Sequence, residues 1–292
     1  MRINTNVSSL TAQEAAANTG KTLTNSLEKL STGLRINKAS DDASGLAIAD
    51  KLRTQGTSIN QGIANGNSAV SLLQIADKSM AEQSNILDTI KAKLIQANTD
   101  TTSDDGKLSI AKDVNKLLDQ LNNIAKQTNY NGTTLLQKSR SSAVSQTGLS
   151  FQVGENRADL IKTQSINSNS TGLKLTTLKK GVSAAALTTA GAIDTNFGKT
   201  IISATQKLID TAISTLNGYR GEMGSTQNQI ESAVRNLMTQ STNVKAAESI
   251  IRDVDYAAES ANFNKQNIIS QAGSYAISQA NSVQQNVLRL LQ

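Results

Sequence analysis

The sequence predicts a mainly α fold: a long antiparallel helical hairpin or coiled-coil bundle from both chain ends, with a small β- and loop-rich region between them. Two spacings and one absence predict it. Apolar side chains recur every seven residues at Ile202, Ile209, Leu216, Met223, Ile230, Leu237, Val244, Ile251 and Ala258. A second series runs through Leu52, Ile59, Leu73, Met80, Leu87 and Leu94, with Gly66 in the slot that lacks a side chain to bury. A sustained heptad repeat marks helices that bury a narrow seam against one another. The absence is proline: the 292 residues contain none, where about 5% is ordinary. Proline removes a backbone donor and breaks helices, so its absence suits long uninterrupted ones.

The elements follow in order. Residues 1 to about 34 carry the stripe Ala12, Ala16, Leu23, Leu27, Leu30 and Leu34, which shares one helical face. Its first part is Ala-rich, and burial scales with apolar area at about 25 cal/mol per Å². This arm is therefore expected to be loose when the molecule is isolated. Residues 35–44 read as a connection, in which Ser40, Asp41 and Asp42 suit a helix N-cap. The first long helix is expected from about 45 to 98, a polar turn over 99–106, and a helix over 107–127. Asn131-Gly132 is a hairpin-turn signal, and the following Thr133–Leu136 reads as a short strand. Phe151–Val153 reads as another. Residues 137–198 are rich in Ser, Thr, Asn and Gly and are expected to be loops or short strands, and the most exposed part. One long helix is expected over 202–258. A weaker stripe then runs through Ala261, Ile268, Ala272, Ala276, Ala280, Val283, Val287 and Leu290.

Domains are expected as an N-terminal arm over 1–44 that joins a C-terminal arm over 255–292, a coiled-coil domain from 45–136 and 199–254, and a short outer region over 137–198.

Composition excludes much chemistry. With no His and no Cys there is no Ser-His-Asp triad, no cysteine nucleophile and no His- or Cys-ligated zinc. The Asp41-Asp42 and Asp104-Asp105 pairs lack the spacing of a calcium loop. No enzyme activity and no cofactor are expected. The net charge is +6, but the basic residues are scattered and aromatics are only 2%, so nucleic acid is not an expected partner. No stretch approaches the 18 or more apolar residues of a membrane span. The start, Met1 to Val7, is polar and has no apolar leader core, so secretion by the general leader-dependent pathway is not expected, whereas a route that cleaves no leader stays open.

Blocks at both ends carry a specific resemblance. They are Ile3-Asn4-Thr5-Asn6, Ser26 to Asn37, Asp41 to Arg53, Glu248-Ser249, Ile251 to Ala257, and Asn286 to Leu291. In this order the chain resembles the bacterial flagellins, over roughly 1–135 and 200–292; the middle looks like a shortened variable region. The resemblance implies a subunit that polymerises into the helical filament of the flagellum for swimming, located outside the cell. A hook-filament junction protein of the same family is the alternative. It also implies arms that order only on assembly. The resemblance further implies a protein that passes unfolded through a narrow export channel without a cleaved signal peptide, with an export chaperone at the C-terminal arm and hook-associated and cap proteins as further partners. Leu23, Leu27, Leu30, Asp41, Asp42, Ile268, Val283, Val287 and Leu290 are the candidate assembly residues. Flagellins that stimulate Toll-like receptor 5 carry Leu-Gln-Arg-Val-Arg-Glu-Leu. Here Leu87 to Lys93 places Thr89 where an arginine stands and Lys93 where a leucine stands, so weak or no activation is expected.

Overall fold

A computed structural model describes residues 5–138, 147–187 and 199–290. Expectations that fall on the remaining residues, and on the side chains of Val287 and Leu290, lie outside the described residues. The protein divides into two compact units, one from Met1–Thr57 with Ser241–Gln292 and one from Ser58–Gln240. We call them the arm unit and the bundle unit. Helices α2 (Ala43–Ala97) and α5 (Lys199–Arg252) supply residues to both.

In the arm unit, α1 (Val7–Thr32) starts at Asn6, whose side-chain oxygen accepts from Ser9 N at 3.1 Å. It stops at Gly33, which sits at φ +75 and donates its N–H to Lys29 O at 2.9 Å. A left-handed residue closes the last turn, and only glycine adopts it without a steric cost. The next helix begins where Asp42 Oδ1 accepts from Gly45 N at 2.8 Å. A Cβ on Gly45 would stand 2.4 Å from Asp42 Oδ2 and 2.8 Å from Ile36 Cδ1. The Asp41-to-Gly45 block is thus a fitted helix start, with the buried Ile36 packed over its glycine.

The single helix expected over 202–258 is a correction. Helix α5 ends at Arg252 and α6 (Tyr256–Leu290) begins anew. Asp255 Oδ1 caps it, accepting from Ala257 N at 2.9 Å and Ala258 N at 3.2 Å. The intervening backbone pairs with the end of α1: Arg35 N donates to Arg252 O at 2.7 Å and Val254 N to Gly33 O at 3.0 Å. The heptad count steps across this break because apolar spacing is blind to backbone hydrogen bonding. Ala258, the last of the series, is exposed.

The bundle unit contains α2 from Ser58 on, α3 (Asp104–Gln127) and α5 up to Gln240. Pairs between α2 and α5 recede along one helix as they advance along the other. Gly62 faces Leu237, Gly66 faces Val234, Asp77 pairs with Arg220 and Lys91 with Asp210. The two helices are therefore antiparallel. Lys93 with Asp113, and Gln83 with Leu121 O, set α3 antiparallel to α2 in the same way. Helix α3 begins three residues before the expected Lys107. Ser103 Oγ accepts from Gly106 N at 3.3 Å, and Asp104 and Asp105 occupy the first turn, where carboxylates complement the helix dipole.

Gly66 also corrects a reading. Its missing side chain is a requirement, because a Cβ there would lie 2.5 Å from Val234 Cγ2. Val234 occupies the slot.

Among the described residues, the middle of the sequence holds more regular structure and is more buried than expected. Strands β1 (Asn129–Tyr130) and β2 (Thr133–Thr134) form an antiparallel hairpin around Asn131-Gly132. The strand expected to reach Leu136 stops at Thr134, and Leu135 and Leu136 turn into the core. Strand β3 (Ser150–Gln152) pairs with β4 (Leu160–Lys162), and helix α4 (Thr176–Leu187) packs on α3; the helix was not expected, and β4 falls where loops or short strands were expected without a stated place. Asn167 to Ser170 are all buried. Gln83, fully buried, donates to Leu121 O and Ser168 O, both at 3.1 Å. Asn122 accepts from Ser170 N at 2.9 Å, and Asn169 donates to Gln137 at 3.2 Å. Polar residues here read as loop by composition, yet they are buried with most of their backbone and amide groups hydrogen-bonded inside the protein, while Gln83 Oε1 and Ser168 Oγ find no partner.

Candidate functional site

The heptad positions are placed as follows. Ile59, Leu73, Met80, Leu87 and Leu94 are at most 2% exposed, and Ile202, Ile209, Leu216, Met223, Ile230 and Leu237 at most 9%. These lie in the bundle unit. Leu52, Val244 and Ile251, in the arm unit, are half-buried. The two units thus differ in how far they satisfy their own apolar side chains.

The arm unit pairs α1 with α6 antiparallel. Asn6 Nδ2 donates to Ala280 O at 3.2 Å, Ala16 faces Gly273, and the Ser26 hydroxyl donates to Glu259. The residues of α1 turned inward are Ser9, Ala12, Ala16, Thr19, Leu23, Ser26 and Leu30, which alternate by three and four. Those of α6 are Glu259, Phe263, Gln266, Ser270, Gly273, Ile277 and Ala280, with the same alternation. Both sets form a narrow heptad seam of mostly small and polar side chains, with Leu23, Leu30, Phe263 and Ile277 as its larger apolar members. Such a seam brings two backbones close and removes little apolar area from water.

Most of the larger apolar side chains of these helices point elsewhere. Val7, Leu10, Leu27, Tyr256 and Val283 are 54–58% exposed, Ile268 67% and Tyr275 73%; elsewhere in the arm unit Ile48 of α2 is 51% and Ile250 of α5 82% exposed. In the bundle unit the large exposed apolar side chains are only Ile75, Ile95, Leu160 and Met238, among the described residues. On α6, Ile268, Ala272, Tyr275 and Val283 share one face at helical spacing, on the side away from the α1 seam. Exposed apolar stripes of this kind mark interaction surfaces.

Each candidate assembly residue has a place. Leu23 and Leu30 are half-buried in the α1–α6 seam, whereas Leu27 is exposed beside it. Ile268 and Val283 stand on the exposed face of α6. Asp42 is the cap of α2. Asp41 is exposed, and its Oδ2 accepts from Asn37 N and Lys38 N, both at 3.0 Å. These backbone donors hold its carboxyl below the ordinary aspartate value. A hydrogen bond and ion pair with Glu28, at 2.6 Å, raise Lys38 above its ordinary value. The 37–41 turn is therefore shaped mainly by its own residues. Val287 and Leu290 lie outside the described side chains. Thr89 is exposed and donates to Asn85 O at 2.9 Å, while Lys93 pairs with Asp113 at 3.0 Å.

Sequence reasoning missed Ile48, Ile250, Tyr256 and Tyr275. A signal was present: each is an apolar residue left over once the seven-residue series and the terminal stripes are assigned. Among the described residues no group of acidic side chains is arranged to hold a metal ion. No described helix is long and apolar enough to cross a membrane.

Comparison with known proteins places this arrangement. Residues 3–141 match the bacterial flagellin N-terminal helical region, and residues 206–291 match the bacterial flagellin C-terminal helical region. A flagellin of Bacillus subtilis is 35% identical, over the full length of both proteins. The flagellar filament 30.7 kDa core protein of Treponema maltophilum is 33% identical, again over the whole of both. A solved structure from Vibrio parahaemolyticus, assigned as a flagellar hook-associated protein, has a TM-score of 0.58 at 12% identity. It covers 73% of this protein and 99% of its own length, and shows a shared fold alone.

Proposed function

The chain belongs to the bacterial flagellin family, and from that premise we propose how it works as a filament subunit. It is a structural subunit of the bacterial flagellum, in the extracellular filament that drives swimming. Its full-length relatives are flagellins and filament core proteins, so the junction-protein alternative is not favoured.

The observation that supports our reading of assembly is the contrast between the units. The bundle unit buries its heptad residues, whereas the arm unit leaves Ile268, Tyr275, Ile250 and Val283 in water. The α1–α6 seam removes little apolar surface, so the unmet stripe of α6 is completed by neighbouring copies. Identical subunits that associate head to tail form a helix when the rotation does not close. Leu27 and the 35–44 connection contribute at the same interface. Ordering a free arm costs about 1–2 kcal/mol per residue in backbone entropy, so the arms gain most of their order on assembly.

The same face of α6 serves before assembly as well. An export chaperone receives Ile268, Ala272, Ala276 and Val283 as an amphipathic helix in a groove. Export then proceeds without a cleaved leader, and hook-associated and cap proteins meet the filament at its ends. Receptor activation is weak, because Thr89 offers no guanidinium and Lys93 is tied to Asp113 where an apolar anchor would be needed.

Seeded polymerisation, followed by electron microscopy, tests this reading. The full-length protein should extend filament seeds, and versions lacking residues 1–40 or 255–292 should not. Normal growth of either truncated version would refute the role given to the arms.

A further inference from the structure

The sequence holds the dipeptide Asn-Gly three times, at Asn65-Gly66, Asn131-Gly132 and Asn217-Gly218. By local sequence all three are equally disposed to spontaneous deamidation, because glycine leaves the attacking amide unhindered. The fold separates them. Asn65 and Gly66 lie inside α2, and Asn217 and Gly218 inside α5. There the glycine N–H is committed to the helix ladder and the backbone cannot bring it to the side chain. Asn65 is further held by donating to Gln152 O at 3.2 Å and accepting from Gln61 at 3.0 Å.

Asn131-Gly132 differs in its backbone: Asn217 and Gly218 are exposed as well, with open space at the glycine, but they stand inside a helix. Asn131-Gly132 forms the two-residue tip between β1 and β2, with Asn131 at φ +49 and Gly132 at φ +82. Both residues are exposed. A Cβ on Gly132 would meet nothing within 4 Å, so the approach is open. We propose that Asn131 is a site of self-modification, converted to aspartate and isoaspartate in the folded protein while Asn65 and Asn217 are spared. The Gly132 amide nitrogen gives its proton to solvent base and attacks Asn131 Cγ. A bond forms between that nitrogen and Cγ, the bond from Cγ to Nδ2 breaks, and ammonia leaves. Water then adds to one carbonyl of the resulting succinimide and opens it. The net change is Asn plus water to an acid plus ammonia, with no oxidation or reduction.

The consequence is local and directional. Either product places a negative charge at the hairpin tip. The isoaspartate form also adds a backbone carbon between Tyr130 and Thr133, which are register partners across the hairpin. Either product removes the Asn-x-Thr acceptor formed by Asn131 and Thr133. The tip of each subunit thus records the age of the protein.

The full-length folded protein would be incubated at mildly alkaline pH and mapped over time by peptide mass spectrometry, with isoaspartyl methyltransferase labelling. The expected result is conversion at Asn131 alone, with conversion at Asn65 and Asn217 negligible until the protein is unfolded in urea, where the three rates converge. Asn131→Gln should remove the signal while the circular dichroism spectrum stays unchanged. Equal rates at the three sites in the folded protein would overturn the proposal, as would an Asn131 that outlasts Asn65 or Asn217.

Discussion

Two glycine-to-alanine substitutions, chemically identical and both inside long helices of the bundle unit, should differ clearly in their effect on stability. Gly221 lies in α5, and a Cβ built there meets nothing within 4 Å. Gly221→Ala therefore gains only helix propensity, about 0.5–1 kcal/mol. Gly66 lies in α2, and a Cβ there would stand 2.5 Å from Val234 Cγ2. Ile230 Cγ2 at 3.6 Å and Val153 Cγ1 at 4.0 Å close the same space. Val234 cannot swing away cheaply, because a β-branched side chain in a helix has one strongly preferred χ1. Overpacking of this kind costs about 1–3 kcal/mol, which cancels or exceeds the same propensity gain. The propensity and unfolded-state contributions are common to both variants, so their difference isolates the clash. We expect Gly66→Ala to be less stable than Gly221→Ala by about 1–3 kcal/mol, read from urea unfolding followed by circular dichroism. Equal midpoints for the two variants would refute the packing at Gly66. A Gly221→Ala variant less stable than the parent would refute the open face of α5.

Ile268→Asp and Tyr275→Asp should leave monomer stability within about 0.5 kcal/mol, because both side chains are mostly exposed, yet should stop seeded filament growth. Growth at the parent rate would remove α6 from the assembly surface. Gln83→Ala leaves the buried Ser168 carbonyl without its donor, at a cost of about 1–3 kcal/mol, with faster hydrogen exchange over 166–170 as the readout. Asp41 has a lowered folded value, so its contribution to the 37–41 turn is present above the ordinary aspartate value and is lost as pH falls through the folded one. Lys38 has the opposite sign: its contact with Glu28 is present below the ordinary lysine value and lost as pH rises through its raised value. Protection of the Asn37 and Lys38 amides, taken relative to their intrinsic exchange rates at each pH, should fall at the acid end and in Asp41→Asn; unchanged protection in that variant would contradict the turn. The double change Thr89→Arg with Lys93→Leu should raise activation in a Toll-like receptor 5 reporter assay, and full activation by the parent protein would sink the proposed weakness.

The parts legible in the sequence were those with a long period or a local chemical signature. The series through Leu87 and through Ile209 could be read because burial on one helical face imposes a repeat over many turns. Asn131-Gly132 could be read because few residues tolerate positive φ at a hairpin tip. Helix α4 and strand β4 escaped because each is short, and their surroundings are rich in Ser, Asn and Thr, which resemble solvent-exposed loop until their partners are known. The buried backbone of Ser168 is met by Gln83 and Leu136, and the side chain of Asn169 by Gln137, all from distant parts of the sequence.

The candidate site shows the same division. Composition and periodicity alone determined that this protein forms long helices, has no histidine or cysteine chemistry, and carries weak apolar stripes at both ends. The tertiary structure decided which stripe is spent within the molecule. The seam between α1 and α6 uses Ala16, Ser26 and Gly273, leaving Ile268 and Tyr275 outward. It decided too that the helix ends at Arg252, where the backbone pairs with Gly33 and Arg35. The reason is physical. A repeat records that a face is buried, but not against what, and a backbone hydrogen bond between residues at opposite ends of the sequence leaves no pattern in either segment.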